Sequence, residues 1–128
     1  IEGLRMALDL TAEWDKLDNG SGVITGVIVA RREVVDANPD AVDAFLKDYA
    51  ASVEWVNGNT AEAAQLISEY GIVEAAPVAE KALPYCNIVC ITGSEMKEKL
   101  SGYLQVLSDA EPASVGGALP GEDFYYGA

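Results

Sequence analysis

The chain has no histidine among its 128 residues, and it is short of cysteine, of basic residues and of long apolar runs. The lack of histidine removes the serine and cysteine triads, histidine-based metal sites and the commonest general base. Acidic residues are abundant, but Asp9 and Glu13 are better explained as solvated carboxylates than as a glycosidase-type pair. The residues alone therefore predict no enzyme, no catalytic residue, no cofactor and no metal site.

The two cysteines, Cys86 and Cys90, lie in the β-branched segment CNIVC. On a strand they would share one face about 13 Å apart, which is too far for a disulfide. Because no histidine is present to complete a zinc site, we expect two buried free thiols.

Charge and hydropathy exclude further classes of protein. With 8 basic and 21 acidic residues the formal net charge is −13, so nucleic acid and anionic membrane surfaces would be repelled. The longest apolar stretches, residues 27–30 and 88–91, are far shorter than the ~20 residues of a membrane helix. The chain opens at Ile1 without a methionine, and we expect an excised piece whose missing targeting signal says nothing about the parent.

Periodicity predicts an α/β, helix-rich chain with few strands and four main helices. Extended segments are expected at residues 4–10, 23–30 and 85–92. A short turn capped by Thr11 and four longer helices are expected, the latter starting at Asn38-Pro39, Thr60, Ala75 and Gly93-Ser94. Segments 4–10 and 23–30 lack neighbouring strands, which predicts self-association through unpaired edges.

The two tryptophans and the twin arginines differ in expected role. Trp55 follows the apolar stripe of the long helix and is expected to pack there. Trp14 lies in a loop, where it either packs locally or faces a ligand or a second lobe. Arg31-Arg32 are expected to pair with local carboxylates rather than to grip a ligand.

Taken in order, the segments resemble the C-terminal portion of solute-binding proteins of ABC importers, in the nitrate/sulfonate/taurine and thiamine-precursor-like group. The resemblance rests on LRMALDLTAEW, GVITGVIVARREVV, NPDAVDAFLKDYAASVEWVNGN, TAEAAQLISEYGIV, ALPYCNIVCITG, EMKEKLSGYLQVL and LPGEDFYY. It implies the C-terminal part of a type II periplasmic-binding-protein fold. Residues 1–30 would be the end of the second lobe and the crossing strand, and residues 31–128 the helical C-terminal part of the first lobe.

The same resemblance implies a cleft between the lobes. Ser21, Gly22 and Thr25 would fall at the crossing, where hydroxyls and backbone amides bind a small polar group. Asn87 and Trp14 would reach the same cleft. The alternative for each residue is ordinary hydrogen bonding or packing within loops.

By resemblance, the expected function is an extracytoplasmic solute-binding component that delivers a small polar solute to an ABC permease and ATPase. The solute would be a sulfonate, nitrate, taurine or a pyrimidine-like molecule, and the parent would be periplasmic or a cell-surface lipoprotein. The alternatives are a sensory or protein-interaction domain that reuses this fold, and an enzyme of thiamine-precursor type. The lack of histidine speaks against the enzyme.

Overall fold

The computed structural model describes residue 3 and residues 5–128, which form six α-helices joined by turns and by segments without regular secondary structure. Three 3-10 turns, Leu83–Tyr85, Pro112–Val115 and Glu122–Phe124, accompany them. The helices are α1 Leu10–Asp15, α2 Arg32–Ala37, α3 Pro39–Gly58, α4 Thr60–Glu69, α5 Ala76–Ala82 and α6 Gly93–Ala110.

The described chain forms two compact units. One comprises the described residues up to Ile28 together with Ile91–Ala128, and the other comprises Val29–Cys90. This division concerns packing within the chain, so the predicted lobe boundary at residue 30 stays a prediction.

The unit Val29–Cys90 has a core built from small residues on α4 and α5. Ala64 is fully buried, and its neighbours in the buried cluster are Ala63, Ala79 and Leu83. The Asn57 side chain donates a 2.9 Å hydrogen bond to the Ile88 carbonyl. Alanine at the contact lets two helix backbones approach closely, so α4 and α5 pack with little side-chain bulk between them.

The other unit is organised around α6. Leu100 is buried on this helix, and the following turn Pro112–Val115 folds back on it through a 3.3 Å hydrogen bond from Ser114 Oγ to the Leu107 carbonyl. Near the end of the chain Tyr125 is buried and meets Phe124 edge to face. Burial, followed by the nearby Glu122 carboxylate, raises the pKa of Tyr125, and Lys97 opposes the rise.

Several predicted helices are confirmed. Pro39 occupies the first turn of α3, as predicted, and α4 begins at Thr60. Gly71 follows α4 with φ +68°, a left-handed conformation that ends the helix at little cost for glycine. The Asn38 side chain does not cap α3; it donates to the Val34 carbonyl at the end of α2 instead.

The strand predictions were not realised in the described residues. Leu4, the start of the predicted strand 4–10, lies outside the described residues, and Leu10 begins α1. Residues 23–30 and 87–92 adopt no helix, and residues 3 and 5–128 contain no β-strand. A strand requires a hydrogen-bonded partner about 4.8 Å away, and an extended local pattern does not supply one.

Other local predictions were wrong for identifiable reasons. Asp9, not Thr11, caps the first helix, because its carboxylate accepts from the backbone amides of Thr11 and Ala12. Helix α2 was missed because REVVDA, with two β-branched valines, continues the preceding strand-like pattern. Cys86 is exposed and Cys90 half-buried, so the two thiols are free but not both buried.

Candidate functional site

Trp14, at the end of α1, stacks against Tyr103 of α6. The ring centroids lie 4.9 Å apart with an interplanar angle of 29°. An offset stack of this kind contributes about 0.5–1.5 kcal/mol beyond the burial of the two rings. The stack therefore fixes the indole and decides where its polar N–H points.

The Trp14 indole N–H donates a 2.9 Å hydrogen bond to Ser21 Oγ. Ser21 Oγ also lies 2.6 Å from Asn19 Oδ1, which accepts a 3.1 Å bond from the Ser21 backbone amide. Because the indole has only a donor and Asn19 Oδ1 only accepts, the Ser21 hydroxyl proton is committed to Asn19. One lone pair of Ser21 Oγ remains free to accept a hydrogen bond.

Gly102 allows α6 to approach this loop closely. A Cβ built at position 102 would lie 2.9 Å from Ser21 Cβ and 3.6 Å from Ser21 Oγ. Real Cβ atoms do not come that close, so any larger residue would push Ser21 away. Gly102 is thus the packing partner that places Ser21 beside Trp14.

The end of α1 and the loop after it line an open cavity of about 220 Å³. Its lining combines one aromatic ring with polar and acidic groups: Trp14, Asp15, Asp18, Asn19, Gly20 and Ser21. Within residues 3 and 5–128, neither Asp15 nor Asp18 has an ion-pair partner, whereas the adjacent Lys16 pairs with Glu13 at 2.6 Å. The rim of the cavity therefore carries two uncompensated formal negative charges.

The predicted site residues separate into two groups. Trp14 and Ser21 are in direct contact, and Gly22 follows Ser21 in the chain, half-buried and with open space where a Cβ would be. Thr25 is exposed and does not line the cavity. Asn87 belongs to the other unit, where it is exposed with a left-handed φ of +50°.

Tyr103 and Asn19 were missed by sequence reasoning. Tyr103 lies on α6, and its ring stacks on Trp14. The neighbouring Gly102 was an available signal, because a glycine in a helix interior destabilises the helix by about 1 kcal/mol relative to alanine and indicates that another segment approaches closely. Asn19 carried no signal beyond loop composition.

A second cavity, of about 400 Å³, lies in the unit Val29–Cys90. Its lining is largely apolar: Ser52, Trp55, Val56, Ala63, Leu66, Ile67, Tyr70 and Ile72. One prediction fails here, because Trp55, expected to be packed, is 39% exposed. Tyr70, on the same cavity, is 80% exposed. With the hydroxyls of Ser52 and Tyr70, the indole of Trp55 and no charged group, this cavity offers few groups for chemistry.

The part of the chain that the structure describes shows neither a metal-ligand cluster nor a membrane-spanning helix. Residues 3 and 5–128 contain no cluster of three or more histidine, cysteine, aspartate or glutamate side chains that could hold a metal ion. Over the same residues, every helix is too short or too polar to span a bilayer. The Trp14–Ser21 cavity is therefore the candidate site.

A family model described as menaquinone biosynthesis matches residues 1–108. The match covers well over half of the 128 residues and includes both Ser21 and Tyr103, so the chain belongs to the menaquinone biosynthesis family. No curated protein and no solved structure matches the chain.

This family membership corrects the functional predictions. The assignment to an ABC-importer solute-binding protein is wrong, and with it the transport role and the permease and ATPase partners. The sensory or protein-interaction alternative is not supported either. The prediction that the chain is not an enzyme is also wrong, since a biosynthetic family indicates an enzyme. The error arose because helix order and caps report a fold, and one fold hosts many functions.

Proposed function

We propose that this chain is part of an enzyme of menaquinone biosynthesis, and that its substrate binds in the Trp14–Ser21 cavity. The family match over residues 1–108 is the observation that carries the proposal. The cavity supports it because the end of α1 and the loop after it bring together an indole ring, a hydroxyl with a free lone pair and two carboxylates. Few polar groups placed against an aromatic surface are typical of small-molecule sites.

Ser21 serves in binding rather than as a nucleophile. A serine nucleophile needs a neighbouring base to take its proton. The proton of Ser21 goes to Asn19 Oδ1, and an amide oxygen is not such a base. Ser21 therefore orients a substrate group, and Trp14 and Asn19 hold its hydroxyl in place.

Asp15 and Asp18 are the groups of this lining that can accept and return a proton. Carboxylates take the role of general acid or base in many enzymes that use no histidine at the reacting centre. We assign proton transfer to one of these two side chains, which lie on the cavity that Ser21 and Trp14 define.

The proposed frame is the two-lobed type II binding-protein architecture, with the division near residue 30. It is compatible with an enzyme because one architecture supports unrelated chemistries through its loops. The β-branched pattern of residues 23–30 supports this frame, since it predicts a strand and the described residues contain no strand to pair with it.

Deleting the gene from its host and measuring menaquinone by mass spectrometry tests the proposal. We expect menaquinone to fall and to be restored by the wild-type gene. The variant Trp14→Phe keeps an aromatic ring but loses the N–H donor. Complementation with it should restore menaquinone synthesis at a rate lower by about tenfold or more, which corresponds to about 1.4 kcal/mol of lost stabilisation of the transition state. The matched variant Trp55→Phe should restore it fully. Unchanged menaquinone in the deletion strain would overturn the proposal.

A further inference from the structure

The chain after α6 folds back along this helix. Residues 112–127 form a tail that contacts α6 at three points, which join Ser114 to Leu107, Glu122 to Lys97 and Gly127 to Gly93. The first is a 3.3 Å hydrogen bond from the Ser114 hydroxyl to the Leu107 carbonyl, and the second is an ion pair. At the third, the Gly127 carbonyl oxygen lies 3.3 Å from a Cβ built on Gly93. The tail therefore runs antiparallel to α6.

The tail and the candidate site occupy opposite faces of α6. An α-helix advances by about 100° per residue, which places Gly93, Lys97 and Leu107 within an arc of about 80°. Gly102, against which Ser21 packs, lies about 140–180° from each of them. Helix α6 is therefore held between the tail on one side and the loop that contains Ser21 on the other.

Tyr125 is the anchor of the tail. It is 8% exposed and is the largest of the buried side chains among the described residues, and Phe124 meets it edge to face at a centroid distance of 5.2 Å. The Glu122 carboxylate, which pairs with Lys97, is 85% exposed. Burial of a large side chain contributes more to stability than an exposed ion pair does. The attachment of the tail therefore depends mainly on Tyr125.

We infer that the tail positions the candidate site, with Tyr125 as a positioning residue that acts through α6. Packed on one face of the helix, the tail keeps the opposite face against the loop. Tyr103 on that helix then holds the Trp14 ring, and the close contact at Gly102 holds Ser21 beside it. This gives a role to residues beyond 1–108, the range that the family model matches. The inference rests on the proposed function only where it concerns menaquinone synthesis.

Tyr125→Ala tests the inference through the ¹⁵N–¹H signal of the Trp14 indole. The Trp55→Phe variant assigns this signal, since the chain has two tryptophans. We expect Tyr125→Ala to shift the signal towards that of an exposed indole, because the 2.9 Å bond to Ser21 lengthens when α6 moves. Tyr125→Phe keeps the ring and should leave the signal in place.

Hydrogen exchange reports separately whether the tail is released. The Phe124 amide donates a 3.1 Å bond to the Gly121 carbonyl, and it should exchange about tenfold or more faster in Tyr125→Ala. If circular dichroism shows that Tyr125→Ala does not fold, Tyr125→Leu, which keeps an apolar side chain but loses the ring, carries the same two measurements.

Two variants in the unit Val29–Cys90 are the controls. Tyr85→Ala makes the same substitution at a position that is 83% exposed, and Leu83→Ala removes a buried side chain. Neither should move the Trp14 signal. A shift confined to Tyr125→Ala therefore reports the tail and not a general loss of stability.

An unmoved Trp14 signal in Tyr125→Ala would overturn the inference, whether or not the Phe124 amide exchanges faster. An equal shift in Leu83→Ala would overturn it too. Complementation of the deletion strain with Tyr125→Ala should restore severalfold less menaquinone than complementation with Tyr125→Phe. Unchanged menaquinone in the deletion strain would reject the proposed function alone, whereas an unmoved signal together with menaquinone loss in that strain would reject this inference alone.

Discussion

Replacing Gly102 by alanine tests the close contact on which the candidate site depends. The new Cβ would lie 2.9 Å from Ser21 Cβ, so Ser21 or the helix must move. Overpacking of this kind costs about 1–3 kcal/mol. Alanine in a helix interior stabilises the helix by about 1 kcal/mol relative to glycine, which offsets part of this cost. We therefore expect Gly102→Ala to lower the free energy of unfolding by about 1 kcal/mol.

Urea unfolding followed by circular dichroism measures this change, and thermal unfolding should show a midpoint lower by about 4 °C for a chain of this size. The displacement of Ser21 can be followed separately, by NMR. If Ser21 moves, the 2.9 Å bond from the Trp14 indole lengthens, and the indole N–H signal shifts towards that of an exposed tryptophan.

Gly58→Ala is the matched control, because Gly58 also lies in a helix and has no atom within 4 Å of a built Cβ. It should leave stability unchanged or raise it by up to about 1 kcal/mol. The reasoning is refuted if Gly102→Ala is as stable as the wild type and its Trp14 signal is unmoved.

Three further outcomes follow from other parts of the structure. Leu83→Ala should lower the free energy of unfolding in urea by about 2–4 kcal/mol, because Leu83 is only 6% exposed. Leu119→Ala, at an exposed position, should lower it by less than about 1 kcal/mol. The pKa of Tyr125 is raised above 10.0 in the folded chain, so the unfolded chain loses this proton first as the pH rises. The free energy of unfolding should therefore fall as pH rises beyond about 10, and it should fall less steeply in Tyr125→Phe. Equal slopes for the two proteins would contradict this. Glu122→Gln should remove the ion pair with Lys97 and lower the free energy of unfolding by less than about 1 kcal/mol. This difference should become smaller when salt is added, and a larger loss of stability would contradict the prediction.

The longer helices were predictable because their signals are local. The proline at Pro39 and the apolar rhythm that follows it define α3, and Gly71 marks the end of α4. Residues 23–30 show the opposite case. Their β-branched pattern indicates extension, but whether a ladder forms depends on a partner segment that no local pattern specifies.

The candidate site was predictable only in part, since its contacts join distant segments of the chain. Trp14 and Ser21 were singled out as neighbours of a cleft; Trp14 proved to lie in α1 rather than in a loop, and Ser21 lies in the loop that follows. Tyr103 comes from α6, far along the sequence, and its apolar periodicity concealed its role beside Trp14. The glycine at position 102 was the available sign that something approaches this helix.

The composition of the cavity bears on why the importer assignment failed. Sulfonate and nitrate are anions, and an anion site needs converging donors or cations. The cavity lined by Trp14 and Ser21 instead presents Asp15 and Asp18, and the whole chain carries a formal charge of −13. These acids are visible in the sequence, but the structure is what places them on the same cavity as Trp14 and Ser21. A resemblance in helix order does not report such chemistry, since helices position a site whereas the side chains that line it decide what it binds.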